Sequence, residues 1–375
     1  MGRSLHIISF NIPYPPNYGG VIDVFYKIKM LSQLGVSVHL HCFEYGRQAA
    51  PELVSLCASV NYYKREHSLK YYSSLRPYIV QSRQSEDLLD NLVKDDFPIL
   101  FEGLHTCYYL NAEQLKDRVK TVRMHNVEWD YYRHLGKNER SMFRKFYFYT
   151  ESIKLKLYEK ILSNANHILP ISENDFEYLD TKFDRVTYLP AFHPNESVNI
   201  KPGTGKYALY HGSLGVNENN QAALFLVNKV FNDLDVPFII AGSDPSKMLV
   251  ASVKNNPNIQ LRINLPENEM IDLIANAQIN VLPSFQQTGI KLKLLNALFN
   301  GRFCIANNDM IERTGLENFC IIRDSAADIK AGIKEYMSQS FTGEMITKRK
   351  EILNTAFSNK INGTKLLQLL FPVNQ

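Results

Sequence analysis

Long apolar runs are missing from this sequence. Nowhere do ~18 consecutive apolar residues occur, so no helix is expected to span a membrane. Cysteine is sparse: Cys42, Cys57, Cys107, Cys304 and Cys320 stand far apart, with no CxxC pair. That spacing excludes a zinc ribbon and the dense disulfide framework of a small secreted domain, and it points to a reducing compartment. Net charge is also small: 42 Lys and Arg against 38 Asp and Glu give +4, too mild to predict a nucleic-acid partner. The ten histidines show no metal-ligand spacing, and no metal is expected. No GxGxxG follows the first apolar run, which removes the main signature of a dinucleotide dehydrogenase. PGTGKY (202–207) has Tyr207 after Lys206 where a P-loop needs Ser or Thr, and its upstream glycine is missing. Asp233-Leu234-Asp235 sits just before an apolar run and reads as a solvated turn rather than a metal-binding pair. The N-terminus runs straight into a strand pattern, so no signal peptide is expected and a cytoplasmic location follows.

What the chain does have is enough apolar material for two cores. Its 375 residues are 45% hydrophobic and 21% charged, which suits two domains rather than one. Short apolar runs alternate with helix-like stretches throughout. In the first half these are 5–10, 36–43, 98–102, 121–125, 167–171 and 185–190. In the second half they are 207–212, 236–242, 258–263, 279–284 and 303–306. Runs of this length, bounded by Gly, Pro or Asn, predict buried parallel strands with crossover helices, an α/β class. The segment AFHPNESVNIKPGTGK (191–206) has linker composition. It divides the chain into residues 1–192 and 193–360, with 361–375 forming an amphipathic helix that returns toward the first domain.

Two loops carry chemistry. NIPYPPNYGG (11–20) joins the first strand to a helical pattern starting at Val21. Gly19 and Gly20 remove the Cβ atoms that would keep a phosphate away from the free N–H groups of a helix start. After the run 279–284 comes FQQTGIKLKLLNALFNG (285–301). Thr288 can cap the helix, Gly289 permits close approach, and the amides of Gly289, Ile290 and Lys291 would point toward an anion. Leu292, Leu295, Leu298 and Phe299 form an apolar stripe, which Gly301 closes.

The order of these pieces resembles the family-4 retaining glycosyltransferases. The likeness rests on loop 11–20, MHNVEWDYY (124–132), YEKILSNANHILPISENDFEYL (158–179), HGSLGVNEN (211–219), IIAGSDP (239–245) and PSFQQTGIKLKLLNALFNGR (283–302). It runs over nearly the whole chain, and its last segment is the most specific. The resemblance implies a GT-B fold: two facing Rossmann-like domains with parallel sheets. It also implies a nucleotide-sugar donor on the C-terminal domain, a glycan or glycolipid acceptor on the N-terminal one, and no metal or other cofactor. Carried over by position, Gly19 and Gly20 would lie against the donor diphosphate, and His125 would face the reacting sugar. Gly212, Ser213 and Gly242 would border the nucleotide, and Thr288, Gly289, Ile290, Lys291 and Asn296 would hold sugar, phosphates and ribose. The chain departs from the family at Thr288 and Asn296, where a Glu pair stands, and at Ser213 and Glu218, where Arg and Lys stand. A relative that binds nucleotide or a partner without transferring sugar is the alternative these departures keep open.

Two stretches are both basic and aromatic. NYYKREHSLKYYSSLRPYIVQSR (61–83) has five Lys and Arg against Glu66, and 133–160 has eight against Glu139, Glu151 and Glu159. Such surfaces suit an anionic membrane face, and a peripheral position at its inner side. They equally suit long helices whose aromatics lie in the core and whose lysines lie in water.

Overall fold

The computed structural model describes residues 2–285 and 292–372. Thr288, Gly289, Ile290 and Lys291 therefore lie outside the described residues. The chain forms two compact units, residues 2–194 with 359–372, and 195–285 with 292–358.

The first unit is built on six strands: β1 (Arg3–Ser9), β2 (Val36–Glu44), β3 (Ser59–Lys64), β4 (Ile99–Glu102), β5 (Lys120–Met124) and β6 (His167–Pro170). They lie in the order β3-β2-β1-β4-β5-β6, and every pairing is parallel. Helices α1 (Gly19–Gln33), α2 (Glu128–Asn138), α3 (Met142–Tyr158) and α4 (Glu173–Asp180) accompany them. Because successive side chains alternate across a strand, β1 feeds two cores. Leu5 and Ile7 pack with Val24, Ile28 and Leu31 of α1 on one face. Ile8 packs with Phe101, Val122 and Leu155 on the other. A sheet covered on both faces needs apolar residues at consecutive positions, which is why the runs read as unbroken.

Two sequence expectations change here. The run 185–190 is not a strand; Val186 makes one isolated bridge to Ile168. Its later carbonyls are taken instead by Arg123, which donates to Leu189 O and Pro190 O. The basic stretch beginning at Asn61 starts inside β3, an edge strand whose Val60 and Tyr62 pack on one core and Tyr63 on the other.

The sheet also holds a buried histidine chain. His6 Nδ1 lies 2.9 Å from His41 Nε2, and His41 Nδ1 lies 2.8 Å from the Tyr63 hydroxyl. Asp95 accepts from His6 Nε2 at 2.9 Å. These polar groups are tolerated inside because each finds a partner.

The second unit repeats the plan with β7 (Ala208–His211), β8 (Phe238–Gly242), β9 (Ile259–Ile263), β10 (Ile279–Leu282), β11 (Phe303–Ala306) and β12 (Ile321–Ile322). Their order is β12-β11-β10-β7-β8-β9, again all parallel. Helices α5 (Asn217–Phe225), α6 (Lys247–Lys254), α7 (Glu267–Asn276), α8 (Leu292–Asn300), α9 (Ala326–Tyr336) and α10 (Gly343–Ala356) accompany them. α8 is buried over more than the expected stripe: Leu294, Ala297 and Asn300 are covered as well. Gly301 does not close it through a left-handed conformation; a Cβ there would meet the Asn280 amide. The last helix, α11 (Asn359–Leu370), belongs to the first unit. Leu366, Leu367 and Leu370 join the α1 core, and Gly363 lets the helix approach Met30 and Leu34 closely.

Candidate functional site

Each sheet has the doubly wound order in which the strand sequence reverses once, between β1 and β4 in the first unit and between β7 and β10 in the second. Ligands of open α/β sheets bind outside the carboxyl ends of the strands at that reversal. Among the described residues, Gly19 and Gly20 follow the loop after β1, His125 follows β5, Gly212 and Ser213 follow β7, and Gly242 ends β8.

In the first unit the reversal is underlain by five buried polar side chains. Asp23 and Lys27 are one helical turn apart on the sheet-facing side of α1, Glu102 ends β4, Arg123 lies in β5, and His125 follows it. Lys27 Nζ donates to Asp23 Oδ2 at 2.8 Å and to Glu102 Oε1 at 2.6 Å. Arg123 grips Asp23 with Nε at 3.2 Å and Nη2 at 2.9 Å, and Phe192 N adds a bond of 2.8 Å. Burial would push both carboxyls up, but Arg123 and Lys27 hold Asp23 well below the usual carboxylate range. Lys27 and the His125 hydrogen bond likewise hold Glu102 below its ordinary value. Two carboxylates and two cations thus balance out of water, as buried charges must.

This balance defines how His125 is presented. Its Nε2 lies 2.9 Å from Glu102 Oε2, so the carboxylate fixes Nε2 as the N–H. Nδ1 is left as a buried lone pair with no partner among the described residues. A lone pair of this kind accepts a hydrogen bond from a sugar hydroxyl. Asp23, Glu102 and His125 could also converge on a metal, since their ligand atoms lie within 4.8 Å of one another. The Lys27 ammonium already stands between the two carboxylates, where an added cation would meet like charge.

Beside His125 lies a second group that the sequence reading did not single out. The Phe10 ring stands edge-on to His125 at 5.3 Å and 5.6 Å from His105. Gly20 makes room for that ring: a Cβ there would fall 2.7 Å from Phe10 Cζ. Gly19 opens α1 behind Tyr18, and no acidic residue occupies the first turn. Glu128 Oε1 lies 3.6 Å from His105 Nδ1, and neither atom has a hydrogen-bond partner among the described residues. Burial, followed by the Asp175 charge, pushes the Glu128 carboxyl up to about 8, so it carries a proton at neutral pH. His105 is held neutral by burial and then by Arg83. A protonated acid beside a neutral imidazole can give or take a proton.

In the second unit His211 ends β7 and is followed by Gly212, whose φ of +155° favours glycine. A Cβ on Gly242 would fall on the Gly212 carbonyl oxygen, so these two loops touch backbone to backbone. Ser213 faces Ser243 at 3.4 Å between hydroxyl oxygens. Burial, with Lys293 next, brings His211 down to about 3, and its Nε2 has no partner among the described residues. Asn296 is half-buried on α8; its Oδ1 accepts from Asn195 Nδ2 at 2.8 Å, and Asn300 Nδ2 donates to Asn195 Oδ1 at 2.7 Å. One acceptor site of the Asn296 amide is therefore occupied within the unit.

Sequence reasoning missed Asp23, Lys27, Glu102 and Arg123. The signal was there: charges embedded in the apolar runs PILFE and TVRMH, and an i,i+4 ion pair among Val24 and Ile28.

Residues 205–339 match the family model described as "Glycosyl transferases group 1". A curated relative, an uncharacterised 44.6 kDa protein in the cps region of Klebsiella pneumoniae, is 27% identical over 397 residues, covering 98% of this chain and 99% of its own length. Among solved structures, a sucrose-phosphate synthase from Thermosynechococcus elongatus superimposes with a TM-score of 0.67 at 14% identity, over 98% of both chains. Anabaena HepE in complex with UDP and glucose gives 0.63 at 10% identity, over the whole of both chains. The chain has the GT-B architecture of two Rossmann-like domains seen in these structures. Its second unit is similar in sequence to the group 1 glycosyl transferases.

Proposed function

We propose that this protein transfers a sugar from a nucleotide-sugar donor to a glycan or glycolipid acceptor, with retention and without a metal, in polysaccharide assembly. The observation that carries the reading is the coincidence of residues 205–339, similar to group 1 glycosyl transferases, with the sheet whose reversal presents Gly212, Ser213 and Gly242. The binding of UDP and glucose by a GT-B neighbour supports a uridine-type donor on that side. In this reading Lys291 and the amides of Gly289 and Ile290 stabilise the departing diphosphate, together with Thr288. Asn296 offers its remaining acceptor site to the ribose. The first unit holds the acceptor; in this reading Gly19 and Gly20 lie against the donor diphosphate, and His125 Nδ1 accepts from a hydroxyl of the transferred sugar and fixes its orientation. Nucleic acid has no part. The enzyme works in the cytoplasm, at the inner face of the membrane. No helix among the described residues is long and apolar enough to cross a membrane.

The test is donor hydrolysis over a panel of nucleotide-sugars without acceptor, paired with thermal shift, since a bound donor raises stability by mass action. Release of nucleoside diphosphate from one donor supports the transferase, and the anomeric form of the freed sugar reads out retention. A second reading keeps the nucleotide site without the transfer. It is favoured by Asn296, a neutral amide tied to Asn195 where a carboxylate would be a stronger acceptor. Stabilisation by nucleotide with no hydrolysis of any donor would establish it.

A further inference from the structure

We propose that the outward face of α3, with the 69–75 segment beside it, is a docking surface for an anionic lipid bilayer. The inward side of α3 is fixed. Ser152 Oγ donates to Trp129 O at 2.6 Å, Leu155 is buried, and Glu151 accepts from Tyr78 N at 2.6 Å and Lys154 at 2.8 Å. The outward side is not covered. Met142, Phe143, Phe146, Ile153 and Leu157 recur at helical spacing and are 63% to 84% exposed. A monomer rarely leaves so many large apolar side chains together in water.

The neighbouring segment extends the same surface. Lys154 Nζ donates to Tyr72 O at 2.8 Å and the Tyr72 and Tyr147 rings meet at 5.6 Å, which ties 69–75 to α3. Leu69 and Leu75 there are 86% and 93% exposed.

Charge decides the occupant. Within 140–160 both carboxylates, Glu151 and Glu159, are buried. The exposed side chains are apolar, aromatic or cationic apart from Ser141, the cations being Arg140, Arg144, Lys156 and Lys160. An apolar stripe flanked by cations, with surface carboxylates only at its margins in Glu139 before α3 and Glu66 beside Tyr71, matches a headgroup layer of anionic phosphates over acyl chains. A two-fold contact with a second copy would set this cationic border against itself, like charge facing like. The surface would bring the enzyme to a glycolipid acceptor. It rests on the proposed transfer only for that purpose.

The experiment is co-sedimentation of the full chain with vesicles of phosphatidylcholine carrying about a third phosphatidylglycerol, against phosphatidylcholine alone. Binding to the anionic vesicles is expected to be at least ~tenfold stronger and to fall with salt. Phe143→Ser with Phe146→Ser should lower it ~tenfold or more while leaving unfolding unchanged, because both rings lie in water. Arg144→Gln with Lys160→Gln should lower it by ~tenfold and flatten the salt dependence. Equal binding to both vesicles, or anionic binding untouched by either pair, would overturn the proposal. So would a dimer at sedimentation equilibrium that the serine pair dissolves without any vesicle binding. Donor hydrolysis on the same samples separates the two readings. Vesicle binding without hydrolysis leaves the surface standing and removes the transferase, and hydrolysis without vesicle binding does the reverse.

Discussion

Asp23→Asn tests whether the charge cluster beneath His125 is sealed from water. Asp23 accepts four hydrogen bonds: Lys27 Nζ and Arg123 Nε on Oδ2, Arg123 Nη2 and Phe192 N on Oδ1. An Asn keeps one acceptor oxygen, and its NH2 must then face two N–H donors, each left unsatisfied at about 1–3 kcal/mol. The variant also leaves Lys27 and Arg123 with Glu102 as their one carboxylate, a net buried charge of the kind that costs about 3–5 kcal/mol. A destabilisation of about 3–5 kcal/mol is expected, lowering the melting point of a unit this size by roughly 6–20 °C. The assay is urea unfolding followed by Trp129, the one tryptophan of the chain, which lies in the first unit. Asp23→Asn with Lys27→Met restores the charge balance and should recover at least half of the loss. A cost under ~1 kcal/mol would mean that water reaches the cluster, and the account of His125 would fall with it.

Further outcomes follow from the same structure. Burial, then His6 and His39, brings His41 down to about 3, so the unfolded chain takes up that proton first as pH falls below ~6.5. The first unit should lose ~2 kcal/mol between pH 6.5 and 5 from this group, and His41→Gln should remove that slope; an unchanged slope by Trp129 fluorescence refutes it. Gly242→Ala drives a methyl onto the Gly212 carbonyl, so calorimetry should show the second unit weakened by about 1–3 kcal/mol, and an unaltered transition would contradict the contact. His125→Ala should lower turnover with nucleotide affinity nearly unchanged, whereas Lys291→Ala should weaken nucleoside-diphosphate binding by ~1.5–3 kcal/mol in calorimetry.

The sequence by itself determined the architecture. Strands buried on both faces have to be written as unbroken apolar runs, so ten of the eleven runs read from the sequence are strands, and the two sheets follow from them. The two it overlooked, β3 and β12, lie at sheet edges: in β3 Tyr, Asn and Lys replace aliphatic residues and the pattern fades, and β12 is only the pair Ile321–Ile322, too short to stand out as a run. Loop positions such as Gly19, Gly20, Gly212 and Gly242 were also legible, because glycine marks places where backbone or ligand must come close. What only the tertiary structure decided is who balances whom. Asp23 and Arg123 are a hundred residues apart, and no local pattern says that they meet, that Lys27 joins Glu102, or that this pair of pairs leaves His125 with one free nitrogen. The same holds for α3: its sequence fits a helix with its aromatics in the core. Only the packing of Ser152, Leu155 and Glu151 against the unit turns Phe143 and Phe146 outward. Periodicity records that a helix has an apolar side, but it takes the positions of its neighbours to settle which side they cover.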